Sequence, residues 1–425
     1  LRIGTEFYFP LDRPVPYGLT IAPIHMIAGL WAVIFVQSLF TTWLVGRVLT
    51  ALFGPGSPWR LLLTMALLSA LSSLPWVAGQ VMPDLFSGMM ALVIFLLVFG
   101  HRDLARWEKW AFPVLLAGMA SFHYSHLLIG GSVTVVAIIF AWAIGDRAGA
   151  KIGGAKALGA IVVAGLALST LNLAFAGSFR PSLLSNTFIF VKLLDERLAQ
   201  GPMNAACAKR RMIVCEALAK VNNPADPLPG QAYLWSGIRV RSDKEGAQLR
   251  AEETDLMKAT IAAQPIEVIR HAFIEAGRQI VNARAGDGLW VFDDSMQVAQ
   301  QIRHHFPASV PAWEASLQQH DKMEPLRRIP DRPIALIVAL LSPLIVFLSL
   351  RRGDRLLAGF AVIAVTMVLM NGAVCGALSL ILDRYQSRAL WVLPLLGILA
   401  LYRWVPWIAG PAMASDVQLR ETNLR

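Results

Sequence analysis

The sequence predicts an all-α polytopic membrane protein with about nine transmembrane helices and one inserted extracytoplasmic helical domain. Two observations carry this prediction. Of the 425 residues, 56% are hydrophobic and only 16% are charged, whereas soluble domains carry about 25% charged residues. The charges are also segregated, because residues 178–332 hold 20 of the 38 Lys and Arg residues and 18 of the 28 Asp and Glu residues.

Apolar runs occur on both sides of this charged stretch. A spanning helix needs about 20 mostly apolar residues, and Gly130-Gly131 offers a break in a run too long for one helix. We therefore predict a membrane part at 1–177 with about six helices, an all-α domain at 178–332, a second membrane part at 333–410 with about three helices, and a cytoplasmic tail at 411–425. The predicted spans are Ile24–Val45, Leu61–Val81, Leu85–Phe99, Trp110–Leu128, Val133–Ile144, Leu158–Ala176, Ile334–Leu348, Leu357–Leu382 and Leu390–Trp407.

The short loops predict the orientation of these spans. Lys and Arg concentrate in alternate connections, such as those holding Arg47, Arg102 and Arg351, and basic loops face the cytoplasm. The domain at 178–332 and the loops at Asp84 and Asp383 then lie outside. We expect a multi-pass protein of a bacterial inner membrane, with this domain on the extracytoplasmic side. The net charge of +10 arises mostly in the membrane parts, so it does not indicate nucleic-acid binding.

With this orientation, most polar side chains in or beside the apolar runs fall on the outer side. Ionisable groups at membrane depth are costly to keep, so each is a candidate for function. Their convergence on one side is the strongest functional signal in the sequence. The candidates are His25, Gln80, Asp84, His123, His126, Arg384, Tyr385 and Arg388.

Each candidate also has a structural interpretation. Asp84 precedes Leu85 as a helix N-cap would. His123 and His126 could share a metal, but no carboxylate or third histidine lies nearby in sequence, so we assign no metal ligand and favour hydrogen bonds between helices. Arg384 and Arg388 lie one turn apart, which suits a phosphate or an anionic headgroup. Snorkelling to the lipid surface fits them equally well.

The three cysteines differ in setting. Cys375 lies in an apolar run and is typical of a packing residue. Cys207 and Cys215 lie in the outside domain, where oxidation is permitted. One straight helix would hold them about 12 Å apart, too far for a disulfide. A disulfide therefore requires a helix break near Lys209–Arg211, and two buried thiols are the alternative.

These residues resemble a family. The run Gln80-Val-Met-Pro-Asp84 before a new span resembles the second acidic loop of membrane glycosyltransferases of the GT-C fold. The helix ending in His123-Tyr-Ser-His126 is similar to the helix pair that follows that loop, and Asp383-Arg-Tyr-Gln-Ser-Arg388 is similar to the Arg-Tyr element near the end of many members. The resemblance covers most of the apolar chain loosely.

The resemblance implies a reaction and a site. Such enzymes transfer a sugar from a polyprenyl-phosphate carrier to an acceptor outside the cytoplasm, a glycan or a protein. Asp84 would be the acceptor-side carboxylate, as base or metal partner, and Arg384 or Arg388 would hold the lipid phosphate. No cofactor is implied with certainty, and a divalent metal stays open. The chain departs from the family in two ways: the first acidic loop is expected upstream of Leu1, and the soluble domain is internal.

Two other classes compete with this interpretation. A secondary transporter needs polar groups near the bilayer midplane and often internal repeats. Asn371 is the one clear mid-helix polar candidate, and the sequence shows no repeat. A non-catalytic scaffold for envelope glycan assembly or export would use the outside domain to bind a partner.

Overall fold

The computed structural model describes residues 9–55, 58–221, 228–235, 244–294, 296–323 and 331–405, and within these ranges all regular structure is helical. The predicted tail at 411–425 lies outside the described residues. Length and composition allow five of the described helices to cross a membrane. These are Val15–Phe53, Tyr124–Ala143, Gly149–Ala176, Asp331–Arg351 and Arg355–Leu378.

The first helix, α1 (Val15–Phe53), is longer than its predicted span. Its 39 residues would extend about 58 Å as one straight rod, roughly twice the thickness of a hydrocarbon core. Gly29 breaks the rod with a φ of 76°, a conformation that glycine adopts without a steric penalty. The helix therefore consists of two pieces that meet at Gly29.

The second predicted span is divided into two shorter helices, α2 (Pro58–Leu71) and α3 (Leu74–Ala78). The break lies at Ser72-Ser73, where both side chains bond to backbone groups: Ser72 Oγ donates to Leu68 O, and Ser73 Oγ donates to Ser387 O at 2.6 Å. The helix that follows, α4 (Leu85–Val98), is buried at every one of its 14 residues. It is therefore surrounded by protein on all sides, which explains how so short a helix can be so apolar.

The break predicted at Gly130-Gly131 lies instead at residues 122–123. Helix α5 (Glu108–Ser121) ends before His123, and α6 (Tyr124–Ala143) continues through both glycines. Gly130 allows close packing instead, because a methyl group there would lie 2.9 Å from Ile161 of the next helix. A π-helical turn at Gly149–Gly153 then leads into α7 (Gly154–Ala176).

Among the described residues, eight further α-helices precede the last apolar segment, and several enclose a second hydrophobic cluster formed by residues such as Phe190, Tyr233, Leu249 and Leu256. Cys207 and Cys215 form a disulfide there, with Cα atoms 6.0 Å apart. The helix is interrupted between them at residues 210–212, as such a disulfide requires. The helices are α8 (Ser185–Asp195), α9 (Gln200–Lys209), α10 (Ile213–Val221), α11 (Pro229–Trp235), α12 (Lys244–Ala263), α13 (Pro265–Val281), α14 (Gln297–His305) and α15 (Val310–Glu314).

The last apolar segment forms α16 (Asp331–Arg351), α17 (Arg355–Leu378), α18 (Asp383–Leu390) and α19 (Val392–Trp404). Side-chain pairs join the ends of sequence-distant helices. At one end, Arg47 pairs with Glu108 at 2.6 Å and Arg403 with Asp354 at 2.5 Å. At the other end, Asp84 meets Arg388. The loops predicted to be cytoplasmic thus meet each other, and so do the loops predicted to lie outside.

Candidate functional site

Three chain segments bring the candidate side chains together at the end opposite Arg47. Asp84 directly precedes α4, His123 lies between α5 and α6, and the short helix α18 carries Arg384 and Arg388. Helix α18 begins after an extended residue, Leu382, and its buried face consists of residues 386–390. Arg388 is among these buried residues, and its side chain points into the helix bundle.

Asp84 and Arg388 form a buried ion pair. Arg388 Nη1 donates to Asp84 Oδ1 at 2.8 Å, and the two side chains are 0% and 7% exposed. Asp84 does occupy the N-cap position of α4, but its side chain makes no cap hydrogen bond. The carboxylate is therefore committed to the guanidinium rather than to the helix terminus.

Arg388 is almost completely satisfied by protein groups. Besides Asp84, Nε donates to Asn371 Oδ1 at 3.0 Å, and Nη2 donates to Ser125 Oγ at 2.9 Å and to Cys375 Sγ at 3.1 Å. These bonds account for four of its five N–H groups. Arg388 therefore ties α4, α6 and α17 to α18, and it has little capacity left to bind a ligand.

The electrostatics of the pair keep Asp84 ionised. Burial alone would raise the pKa of Asp84, but the guanidinium groups of Arg388 and Arg384 outweigh burial and hold that pKa below its usual value. Burial, reinforced by Arg388, lowers the pKa of His123 to about 3. At neutral pH the site therefore holds a carboxylate, two guanidinium groups and a neutral imidazole.

The two histidines are engaged in hydrogen bonds. His126 Nδ1 lies 2.8 Å from Met119 O, so it carries the proton, and Nε2 accepts from Ser87 Oγ at 2.8 Å. His123 Nδ1 lies 2.8 Å from Ser125 Oγ. Both nitrogens of His126 are thus occupied. Across the described part of the chain, no group of three or more His, Cys, Asp and Glu side chains is arranged to hold a metal ion.

A narrow cleft opens beside the ion pair. It encloses about 10 Å³ between Gln80, Asp84, Arg384 and the segment Gly286–Asp287, which is room for about one water molecule and far less than the 300–1,000 Å³ typical of ligand pockets. Two buried donors near it, Arg384 Nε and Trp76 Nε1, find no acceptor among the described residues. The cleft thus combines a cation with unused N–H groups, which is the chemistry of an anion site.

Asp287 is a component of the site that sequence reasoning missed. Its Oδ2 accepts the backbone N–H of Arg384 at 2.9 Å, and its carbonyl accepts Gln80 Nε2 at 3.3 Å. The flanking Gly286 and Gly288 have φ values of 79° and 87°, so the chain turns sharply there. The Gly-Asp-Gly triplet was the available signal, although nothing in the sequence links it to α18.

The remaining candidates divide into two groups. The ring of Tyr385 lies against both guanidinium groups of α18, 5.2 Å from Arg384 and 5.3 Å from Arg388, and Gln80 lines the cleft. His25 instead packs against Phe306, with ring centroids 6.0 Å apart. The structure therefore brings together seven of the eight predicted site residues and places His25 against another part of the chain.

An apolar groove of about 200 Å³ borders the same segment, Asp84–Phe86, and is lined by Phe86. It runs between α1, α4 and α5, and Gln37 connects it to the cleft by donating to Gln80 O at 3.1 Å. Tyr17, whose hydroxyl donates to Gln37 Oε1 at 2.8 Å, is buried beside it. The groove lining includes Ile24, Val36, Phe40, Phe86, Leu115 and Phe122.

The site thus consists of a buried ion pair, a small cationic cleft and an adjoining apolar groove, all at one end of the helical bundle. Comparison of the chain with models of protein families, with curated proteins and with solved structures found no match.

Proposed function

We propose that this protein is a GT-C-like glycosyltransferase that moves a sugar from a polyprenyl-phosphate carrier to an acceptor outside the cytoplasm. One observation carries the proposal: the cationic cleft at Arg384, lined by Asp84, and the apolar groove, lined by Phe86, border the same short segment, Asp84–Phe86. A lipid-linked phosphate has both features, an anionic headgroup and a long apolar chain. The rest of the topology follows the loop charges, with nine spans and the domain at 178–332 on the outer side.

Arg384 is the residue we assign to the donor phosphate. Its Nε is buried without an acceptor in the described structure, and it lines the cleft. Arg388, in contrast, already donates to Asp84, Asn371 and other partners. When the glycosidic C–O bond breaks, the phosphate leaves as an anion, and a fixed guanidinium stabilises the charge that develops on it.

Asp84 contributes a fixed negative charge beside the cleft. The acceptor hydroxyl must lose a proton as it bonds to the sugar, and a carboxylate is the usual base for this step. The lowered pKa of Asp84 makes it a weak base, so electrostatic stabilisation of the electron-poor sugar carbon suits it better. The proton of the acceptor hydroxyl then goes to Asp287, the second carboxylate at the cleft. Two carboxylates, one of them already paired, are a poor divalent-metal site, so we derive no metal-dependent step.

One observation favours the scaffold alternative. The cluster around Arg388 is satisfied by the protein itself, and the cleft is smaller than ordinary ligand pockets. Such a cluster could serve only to hold four helices together. The transporter alternative is weaker, because Asn371 is engaged by Arg388 and by Gln386, whose Oε1 lies 3.0 Å from Asn371 Nδ2.

The test begins with mass spectrometry of lipids that co-purify with the full chain in mild detergent. We expect enrichment of a polyprenyl phosphate, free or sugar-loaded, over bulk membrane lipid. Arg384→Ala should abolish the enrichment, while Arg270→Ala, which removes an arginine exposed on α13, should not. Finding only bulk phospholipid with the wild-type chain would refute the donor assignment.

A second measurement separates catalysis from binding. In reconstituted membranes containing the identified lipid, Asp84→Asn should abolish sugar transfer while retaining the co-purifying lipid. If that variant turns over substrate like the wild type, Asp84 has no catalytic role. If neither protein turns over substrate although the lipid is bound, the scaffold interpretation is favoured.

A further inference from the structure

Helix α13 has two apolar faces, although it belongs to the segment that the sequence assigns to the outside domain. One face packs along α17. A methyl group at Gly372 would lie 2.5 Å from Ile280 Cγ1, and one at Gly376 would lie 2.4 Å from Glu275 O. The absence of side chains at these two glycines lets the two helices approach closely. Helix α13 is therefore packed tightly against a candidate membrane span.

The contacts give the direction and depth of α13. Ile280 meets Gly372, and residues 275–276 meet Gly376, so the two helices run antiparallel. A helix needs about 20 residues to cross the hydrocarbon core of a bilayer. If α17 enters the core at Leu357, it leaves the core near Gly376, at the boundary on the side of the Asp84 cluster. The C-terminal end of α13, level with Gly372, then lies roughly 6 Å inside that boundary at 1.5 Å per residue.

The second apolar face of α13 points away from the protein. The sequence places Ile266, Ile269 and Phe273 with Ile280 on one helical stripe, but the structure leaves the first three exposed, Phe273 at 76%. Towards the deep end this surface continues through Ile274 to Val281, which is 47% exposed. Within the C-terminal half, the protruding charge is Arg278, which pairs with Glu275 at 2.7 Å and can extend towards the headgroups.

The backbone at the deep end of α13 is satisfied by protein groups. The side chain of Gln279 is fully buried. Its Nε2 donates to Asn282 O at 3.3 Å and to Leu382 O at 2.9 Å, and its Oε1 accepts the N–H of Leu382 at 2.9 Å. Non-helical backbone is tolerated at membrane depth only when its polar groups are paired in this way.

We propose that the C-terminal half of α13 is a re-entrant segment whose exposed surface from Gly277 to Val281 contacts the acyl chains of the leaflet on the side of the Asp84 cluster, with Phe273 about 4.5 Å beyond the boundary, at the headgroups. Lipid is the occupant, because this surface continues from a spanning helix at the depth of the hydrocarbon. The segment then turns back and delivers Asp287 to the cleft. This inference depends on packing alone and is independent of the glycosyltransferase proposal.

The test measures depth at three exposed positions of α13. The full chain offers a clean background for thiol labelling, since Cys207 and Cys215 are joined and Cys375 is buried. An environment-sensitive fluorophore is attached to Val281→Cys, Phe273→Cys or Ile266→Cys in nanodiscs containing spin-labelled phosphatidylcholine. Lys258→Cys, exposed on α12, is the control.

Quenching by the spin-labelled lipid should be strongest at 281, intermediate at 273, and at 266 close to the control value. Residue 266 lies about 15 Å beyond the level of Gly376 at 1.5 Å per residue. Equal, weak quenching at 281 and 258 would overturn the proposal. A blue-shifted fluorophore at 281 that lipid does not quench would overturn it as well, because protein, from a second copy or another segment, would then cover the surface. Three labelled positions on one helix guard against a single misfolded variant.

Discussion

Removing Arg388 should destabilise the protein more than any substitution of an exposed arginine. Arg388→Met leaves Asp84 as a buried charge without its partner, a change that costs about 3–5 kcal/mol. The acceptors on Asn371 and Ser125 lose their donor as well, at about 0.5–1.5 kcal/mol for each hydrogen bond. Asp84→Asn should cost less, about 1–3 kcal/mol, because the amide oxygen can still accept from Arg388.

The double variant tests whether Asp84 and Arg388 interact in the folded protein. Once Arg388 is gone, Asp84→Asn removes an uncompensated charge, so in that background it should stabilise the protein. Because this change of sign requires the coupling energy to exceed the cost of Asp84→Asn alone, about 1–3 kcal/mol, we expect a coupling of about 3 kcal/mol, the upper end of the usual range. The measurement is the unfolding midpoint of the full-length wild-type chain, both single variants and the double variant, in one detergent. If the double variant loses as much stability as the two single variants together, the residues do not interact in the folded protein.

Two further predictions concern packing and pH. Gly88→Ala should lower the unfolding midpoint, because its methyl group would lie 2.4 Å from Trp391 Nε1; Gly165→Ala, with open space around it, should not lower it. Burial raises the pKa of Glu253 above its usual 4.5, and Tyr233 donates to it at 2.5 Å. The folded state therefore binds the Glu253 proton more tightly than the unfolded state does. This difference stabilises the folded state fully at low pH, and the stabilisation is lost as the pH rises above 4.5 and through the raised pKa. Hydrogen exchange of α12 from pH 4.5 to 8 should show this loss in the wild type and not in Glu253→Gln, and equal pH profiles would contradict it.

Much of the arrangement of helix ends was predictable from the sequence. The alternation of basic and non-basic loops predicts which connections share a side, and Arg47 indeed pairs with Glu108 while Asp84 pairs with Arg388. The lengths and breaks of the helices were not predictable. Hydropathy does not distinguish burial in lipid from burial in protein, and α4 is buried at every residue. Breaks at Gly29 and Ser72-Ser73 depend on local backbone and tertiary hydrogen bonds that no apolar run reveals.

The sequence predicted which residues form the site better than it predicted the role of each residue. Polar residues within apolar segments were identified because ionisable side chains are costly in a membrane and are rarely found there without a function. Their partners, Asn371 and Cys375 on α17 and Ser125 on α6, come from distant segments and have no local signal. The exposure of Ile266 and Phe273 on α13 was also not predictable. The helix has two apolar faces, and the sequence does not indicate which of them packs against protein.

The contrast between the two arginines of α18 explains why a costly buried pair would be kept. A hydrophobic replacement for a buried ion pair is often as stable as the pair itself, so stability alone does not account for Asp84 and Arg388. The pair does fix the rotation of α18, because four hydrogen bonds from Arg388 allow one orientation of that helix. Asp287 fixes the start of the same helix by accepting the Arg384 N–H. With both constraints in place, Arg384 is held one turn away at the cleft with an unused donor, so in the enzyme we propose Arg388 would position the helix and Arg384 would bind the donor phosphate.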